Sequence, residues 1–299
     1  MVKQMLIDDP IWNEFSDVHI ATVIREIPEK SKEFVSNNPL LKIKQTSHKQ
    51  LKDLSKALNQ APQYKKLSES FSKNISIAKA CMDKYKEHNL GALSEFEQDM
   101  ATNLKEGGKV FTKKKALEKI ANFMKDDSIA TAKKLRLIMI LQTSYANVPK
   151  SDIESLMESA KLNNKQKKAC RNISFLGTTE EIPNETLERN KLIQKESKLN
   201  LSRYEPKIKN VLKEICEDTL SKKNFPYVQE PPPEKSMKRG RRKKNKEMCK
   251  IIVFVAGGLS YSEIRCCSEV SKTYSRDVIA GSTDVVSPKE FMRELIQIN

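Results

Sequence analysis

Ile251-Ile252-Val253-Phe254-Val255-Ala256-Gly257-Gly258-Leu259-Ser260-Tyr261-Ser262-Glu263 is the stretch on which the reading of this chain turns. Its first six residues form an unbroken apolar run rich in β-branched side chains. Such a run predicts a strand covered on both faces, as in a parallel sheet. Gly257-Gly258 breaks the run and permits a tight turn. Ser260 and Glu263 stand three apart as a capping box, with Leu259 and Ile264 at the staple positions. The helix they open should run through Ile264, Cys267 and Val270. Asp277-Val278-Ile279-Ala280 reads as a second strand, ended by Gly281. Ser287-Pro288-Lys289-Glu290 repeats the entry device, with proline at the first helical position and Val286 and Phe291 as the staple pair. The order is β-α-β-α, and a crossover of this kind joins parallel strands in a right-handed sense.

Immediately upstream the chain changes character. Pro231-Pro232-Pro233 precedes Lys235–Lys250, which holds nine Lys or Arg and a single acid, half of the net charge of +16. The run has no apolar periodicity, so residues 231–249 read as a solvated connector. A cationic run is also drawn to anionic lipid head groups or to nucleic acid. No aromatic side chains alternate with its charges, so a platform for stacking bases is missing.

Residues 1–230 carry a helical pattern. Trp12–Ser36 has a broad apolar face (Phe15, Val18, Ile20, Val23, Ile24, Ile27), and Pro28 should bend or break it. Pro39–Thr46 is a polar break. Leu51, Leu54 and Leu58 then recur at three and four, and beyond Pro62 the stripe continues through Tyr64, Leu67, Phe71, Ile75, Ala78, Met82 and Tyr85. Proline deletes a backbone hydrogen bond and pushes Ala61 from the helical region. This segment is therefore either a helical hairpin turning at Pro62 or one long kinked helix. The two lie within a few kcal/mol, since an interior proline costs ~3 kcal/mol. Leu90, Leu93, Phe96 and Met100 extend the pattern towards Gly107-Gly108. Further helices are expected over Ala116–Met124, Ala130–Ser144, from a capping box at Ser151-Asp152-Ile153-Glu154, over Lys165–Phe175, and through Val211, Leu212 and Ile215.

With 299 residues, 6% aromatics and 31% charged residues, the chain reads as one large or two moderate helix-rich, soluble domains. No apolar run approaches the ~20 residues that span a bilayer, and Met1–Pro10 has no signal-peptide pattern. The six cysteines (81, 170, 216, 249, 266, 267) show neither Cys-x-x-Cys nor zinc spacing and read as reduced thiols. His19 has no His or Cys partner nearby and reads as a packed structural histidine. No metal, cofactor or catalytic residue is expected.

Several of these residues also carry a resemblance. Val255-Ala256-Gly257-Gly258-Leu259-Ser260, Glu263-Ile264-Arg265, Gly281-Ser282-Thr283 and Ser287-Pro288 with Phe291 resemble the C-terminal signature of the SM (Sec/Munc) family, whose members bind syntaxins and SNARE complexes. Asp9-Pro10-Ile11-Trp12 and Asp17-Val18-His19-Ile20-Ala21 resemble the start of that family's large helical insertion. Gln60-Ala61-Pro62-Gln63-Tyr64 is similar to the hinge of its domain 3a hairpin, and Leu201-Ser202-Arg203-Tyr204-Glu205-Pro206 to a further motif.

The resemblance implies a mainly α fold with an α/β C-terminal part. Residues 1–230 would be a helical, domain 3-like SNARE-binding region, 231–249 a linker, and 250–299 the second half of a split α/β domain. It covers about the latter half of the family pattern, so another chain could supply the missing α/β half. Leu54, Leu58, Pro62, Tyr64, Leu67, Phe71 and Ile75 are implied as hinge and SNARE-binding hairpin. Gly257, Gly258, Ser260, Glu263, Arg265, Gly281, Ser282, Thr283 and Pro288 are the family signature. The implied function is binding of syntaxin and other SNARE helices in vesicle docking and exocytic fusion. Its implied place is the cytoplasm, peripheral at plasma membrane or docking sites through SNAREs.

Two other readings compete. In a phosphate-using α/β enzyme, Gly257-Gly258 before a helix N-terminus would hold an anion. Neither Gly-x-x-x-x-Gly-Lys-Ser/Thr nor Gly-x-Gly-x-x-Gly occurs, however. A basic helical nucleic-acid binder would need its positive charge on a folded face, so nucleic acid is not expected as a partner.

Overall fold

The computed structural model describes residues 9–37, 50–176, 187, 190, 191, 193, 202–229 and 250–298, with residues 50–61 and 63 described by their backbone. The polar break at Pro39–Thr46 and the 231–249 connector lie outside these residues. The helices are α1 (Pro10–Phe15), α2 (Ile20–Asn37), α3 (Gln50–Glu87), α4 (Leu90–Thr102), α5 (Lys113–Lys125), α6 (Thr131–Ser144), α7 (Lys150–Ser159) and α8 (Asn164–Asn172). A 3-10 turn, Ile173–Leu176, continues α8. There follow α9 (Lys207–Glu217), β1 (Ile251–Val255), α10 (Tyr261–Tyr274), β2 (Val278–Ser282) and α11 (Pro288–Gln297). The fold is mainly α with one small parallel sheet. The chain forms two compact units, Met1–Leu90 and Gly91–Asn299.

In the first unit α1 and α2 pack on α3. Ile11, Phe15, Val23, Ile27, Phe71 and Ala78 form its buried core, with Phe34 and Leu67 against them. The helix expected over Trp12–Ser36 is two helices, because the chain turns between Phe15 and Ile20. Pro28 lies inside α2 without ending it. The carbonyl that loses its donor belongs to Ile24, four residues back in an exposed residue, where water can serve it. Burial of Val23, Ile27 and Phe34 offsets the lost bond.

The second unit is built on α4 to α8. Phe96 is fully buried, with the Phe123 ring stacked at 5.0 Å and Phe111 edge-on at 6.1 Å. Helix α4 stops at Thr102 rather than near Gly107. A bridge between Leu104 and Val110 closes a short hairpin, and Gly107 and Gly108 take φ 82° and 79° at its tip. Only glycine adopts such angles freely. The capping box expected at Ser151 does not form. Pro149 is the N-cap of α7 without a side-chain bond, and Glu154 instead meets Arg171 of α8 at 2.9 Å.

Strands β1 and β2 pair in parallel, Ile251 opposite Val278 through Val255 opposite Ser282. The capping boxes at Ser260 and Ser287 form as the sequence predicts. The prediction of a strand covered on both faces does not hold. Helices α9 and α10 cover one face, where Leu212, Cys267 and Val270 meet Ile251, Val253, Val278 and Ala280. On the other face Ile252 is 74% exposed and Phe254 65%, with Ile279 exposed beside them. Helix α11 packs on α8. The Asn172 side-chain amide donates to the Leu295 and Ile298 carbonyls, both at 2.8 Å, and so satisfies the end of α11.

Candidate partner-binding site

Of the two states open for the Pro62 segment, the structure holds the continuous one. Pro62 lies inside the 38-residue helix α3. Downstream of it the apolar stripe is taken up by the first unit itself. Phe71 is buried, Leu67 packs on the same core, and the Tyr64 and Phe71 rings lie 5.9 and 5.6 Å from that of Phe34. Phe71 thus serves the unit's own core, while Tyr64 and Leu67 are half-buried against α1 and α2; a stripe at three-and-four spacing marks any face a helix buries. Ile75 is 38% exposed. The side chains of Leu54 and Leu58 lie outside the described residues, on a stretch of α3 whose backbone is helical.

Asp9 joins α1 to this helix. It caps α1, accepting from the Ile11 and Trp12 amides at 3.1 and 2.9 Å. The same carboxylate accepts from the Ser70 hydroxyl and from Asn74 at 3.2 Å, both on α3, while almost fully buried. The Asp-Pro-Ile-Trp motif is therefore a clasp that fixes α3 two turns beyond Pro62.

The signature residues of the second unit build a joint between two turns. The Gly257 amide donates to the Thr283 hydroxyl at 3.0 Å, and that hydroxyl donates to the Gly257 carbonyl at 2.7 Å. Leu259 and Val286 extend the pairing, with Leu259 N–H on the Asp284 carbonyl at 3.0 Å and Val286 N–H on the Leu259 carbonyl at 2.9 Å. A Cβ on Gly258 would meet the Val286 side chain at 2.3 Å, so any larger residue there must displace Val286. Gly281 gives room to the Phe254 ring across the sheet, and the Ser282 hydroxyl donates to the Asp284 carbonyl. Arg265 reaches the Ser202 hydroxyl at 2.9 Å and Glu269 at 3.3 Å, holding α10 to the strand of chain that enters α9. Gly257, Gly258, Ser260, Glu263 and Pro288 line one side of a cleft of about 670 Å³. Met139 and Ile140 of α6, Leu176 and Phe291 line the rest.

This arrangement removes the proposed anion cradle. The Glu263 carboxylate already accepts from the Ser260 amide at 2.7 Å, and Glu290 from the Ser287 amide at 3.0 Å. Each helix start carries its own anion. The Ser287 hydroxyl and amide hold the Glu290 carboxyl below its usual value. Burial pushes the Cys170 thiol up to about 12 and Cys266 to about 11, which leaves both inert as nucleophiles. Among the described residues no cluster of His, Cys, Asp or Glu could hold a metal, and no helix is long and apolar enough to cross a membrane.

Sequence reasoning missed the polar groups inside the second unit. Arg203 and Asp99 form an ion pair at 2.6 Å with both side chains 2% exposed, and Arg203 also donates to the Leu104 carbonyl at 2.8 Å. Lys134 is buried and donates to the Met124 carbonyl near the end of α5, where a cation is favoured. Neither position carries a local pattern. Asn163 and Gln166 do, since they form a capping box whose Asn-x-x-Gln spacing was there to read.

The Sec1 family pattern matches residues 2–294 of this chain. The chain belongs to the Sec1 family. Among curated Sec1 relatives, protein transport protein sec1 of Dictyostelium discoideum is 26% identical over 317 residues, covering 97% of this chain and 52% of that protein. The protein of the same name from Schizosaccharomyces pombe is 26% identical over 306 residues, covering 95% and 44%. This Sec1-family chain thus spans about half the length of the curated relatives it matches. Among solved structures, the Unc18–syntaxin 1 complex from Monosiga brevicollis superposes with a TM-score of 0.70 at 22% identity, covering 98% of this chain and 51% of that one. Vps45 in complex with the Qa SNARE Tlg2 gives 0.67 at 19% identity, covering 96% and 48%. At these identities the likeness establishes the Sec1-family fold.

Proposed function

We propose that this Sec1-family chain binds the helical motifs of SNARE proteins, syntaxin-type SNAREs first, by laying a partner helix along α3. Through that contact it regulates vesicle docking and membrane fusion in exocytosis, from the cytoplasmic side and peripheral to the membrane. One observation carries the reading. α3 is a single 38-residue helix that runs unbroken through Pro62, so the Leu54–Leu58 stretch and the core-packed stretch from Tyr64 belong to one continuous rod. A partner helix would meet Leu54 and Leu58, which stand four apart upstream of Pro62, in a helix-to-helix contact. That two solved relatives are complexes with syntaxin 1 and with Tlg2 supports the choice of partner. The contact involves no catalysis.

The test is a pull-down of the full chain against cytosolic syntaxin and synaptobrevin-type fragments, beside Leu54→Asp/Leu58→Asp. Binding by the parent and its loss in the folded double variant is the expected result. No binding by the parent at high micromolar concentration would remove the proposal.

A further inference from the structure

Three separate pieces of the second unit bring lysines to one place. The hairpin after α4 carries Lys105 and Lys109, adjacent across it, where the Lys105 amide donates to the Lys109 carbonyl at 2.8 Å. Helix α5 begins Lys113-Lys114-Lys115 directly after the hairpin. The Lys113 ammonium donates to the Ala146 and Asn147 carbonyls at 3.1 and 3.2 Å, which holds the loop before α7 against that helix start. Three residues on, Lys150 opens α7. The acids of the same segments are Glu106, Glu118, Asp152, Glu154 and Glu158, of which Glu154 is paired with Arg171 and Glu158 with Lys167.

The placement runs against the local preference of a helix. The first turn of a helix favours acids, because its free N–H groups carry positive charge. Here α5 opens with three lysines and has no acid in its first turn. Lys109, Lys114, Lys115 and Lys150 are exposed, and among the described residues none forms an ion pair. Cations kept unpaired at an unfavourable position point to a use outside the fold.

We propose that this lysine cluster is a docking surface for a membrane bearing anionic lipid head groups. Three features select a lipid surface. Every cation in it is lysine, a hydrated point charge suited to a diffuse field, whereas bidentate recognition of one phosphate or carboxylate uses arginine. Val110 stands 46% exposed on the same hairpin, an apolar side chain beside lysines, as fits the boundary between head groups and acyl chains. Phe111, the aromatic of the hairpin, is 1% exposed and offers no face for stacking a base. The surface belongs to the folded second unit and does not depend on the SNARE-binding reading, which concerns α3.

The test measures co-sedimentation of the full chain with phosphatidylcholine vesicles containing about a third phosphatidylserine, at low and at physiological salt. Each lysine near such a surface is worth about fivefold in partitioning, so Lys109→Gln/Lys114→Gln/Lys115→Gln should lower it roughly a hundredfold. Binding should fall with salt and be absent on phosphatidylcholine alone. The triple variant should melt no lower than the parent, because it removes cations from a helix N-terminus. A second variant, with Lys238, Arg239, Arg241, Arg242, Lys243 and Lys244 changed to Gln, isolates the connector's share. The proposal is overturned if the parent does not bind, if the triple variant binds as the parent does, or if the connector variant alone abolishes binding. Tighter binding of the parent to a DNA duplex than to these vesicles, lost in the triple variant, also overturns it.

Discussion

Asp9 does at the residue scale what no composition statistic could announce: one carboxylate starts α1 and pins it to α3. Burial works against its charge, but the Ser70 hydroxyl, the Trp12 amide, Asn74 and Lys73 outweigh that and hold the carboxyl below its ordinary 3.8. A carboxyl lowered by folding adds stability that is complete above that ordinary value and is lost as the pH falls through its lower folded one. The first unit should therefore keep this contribution at neutral pH and weaken only in acid below about pH 4, seen as a falling melting temperature of the α1–α3 region. Asp9→Ala removes an N-cap and orphans the Ser70 and Asn74 donors, and should cost about 3 kcal/mol in urea unfolding. The cysteines give a second check at this scale. With thiols raised to about 12 and 11, Cys170 and Cys266 should resist alkylation in the native chain at pH 8, while exposed Cys81 reacts. Rapid labelling of Cys170 would mean the second unit opens readily.

At the scale of elements, two helix entries and one proline decide most. Pro62 sits in an unbroken helix whose downstream half is held by α1 and α2, so continuity there is imposed by packing. Pro62→Ala restores a donor and removes a ring clash, and should favour the continuous helix by up to ~3 kcal/mol. The expected outcome is slower amide exchange over residues 50–62 and tighter SNARE binding. Unchanged exchange and unchanged affinity would make Pro62 a tolerated helix residue and not a hinge. Gly258 is the matching case in the second unit. Its missing Cβ lets the two turns touch, and Val286 is β-branched and stiff. Gly258→Ala should cost about 1–3 kcal/mol by overpacking and separate the starts of α10 and α11. Unchanged urea unfolding of the second unit would show that Val286 moves aside freely.

At the scale of the molecule, the sheet is the incomplete part. Among the described residues the sheet has two strands with open edges, and Ile252, Phe254 and Ile279 leave one face apolar and exposed, a combination that invites association. Amides of β1 should exchange faster than those of α6, and an α/β segment added in trans should slow them. Slow exchange in the isolated chain would show that α9 and α10 suffice.

The sequence alone determined whatever is coded within a few residues. The two strands, both glycine-led turns and both capping boxes were legible because turn, cap and apolar run are local devices. So were the helical stripe and the family signature. What faces what was left to tertiary structure. A strand's apolar run states that its side chains prefer burial, not that two layers exist to bury them, so the cover of β1 on both faces failed while α11 packed on α8. The stripe from Tyr64 to Ala78 states that a face is buried, not whose helix buries it. The Arg203–Asp99 pair, the Asn172 cap on α11 and the Lys113 bonds to the Ala146 and Asn147 carbonyls join residues 33 to 126 positions apart. Only folding brings such charges and carbonyls within reach, because their energies depend on distance in space and not along the chain.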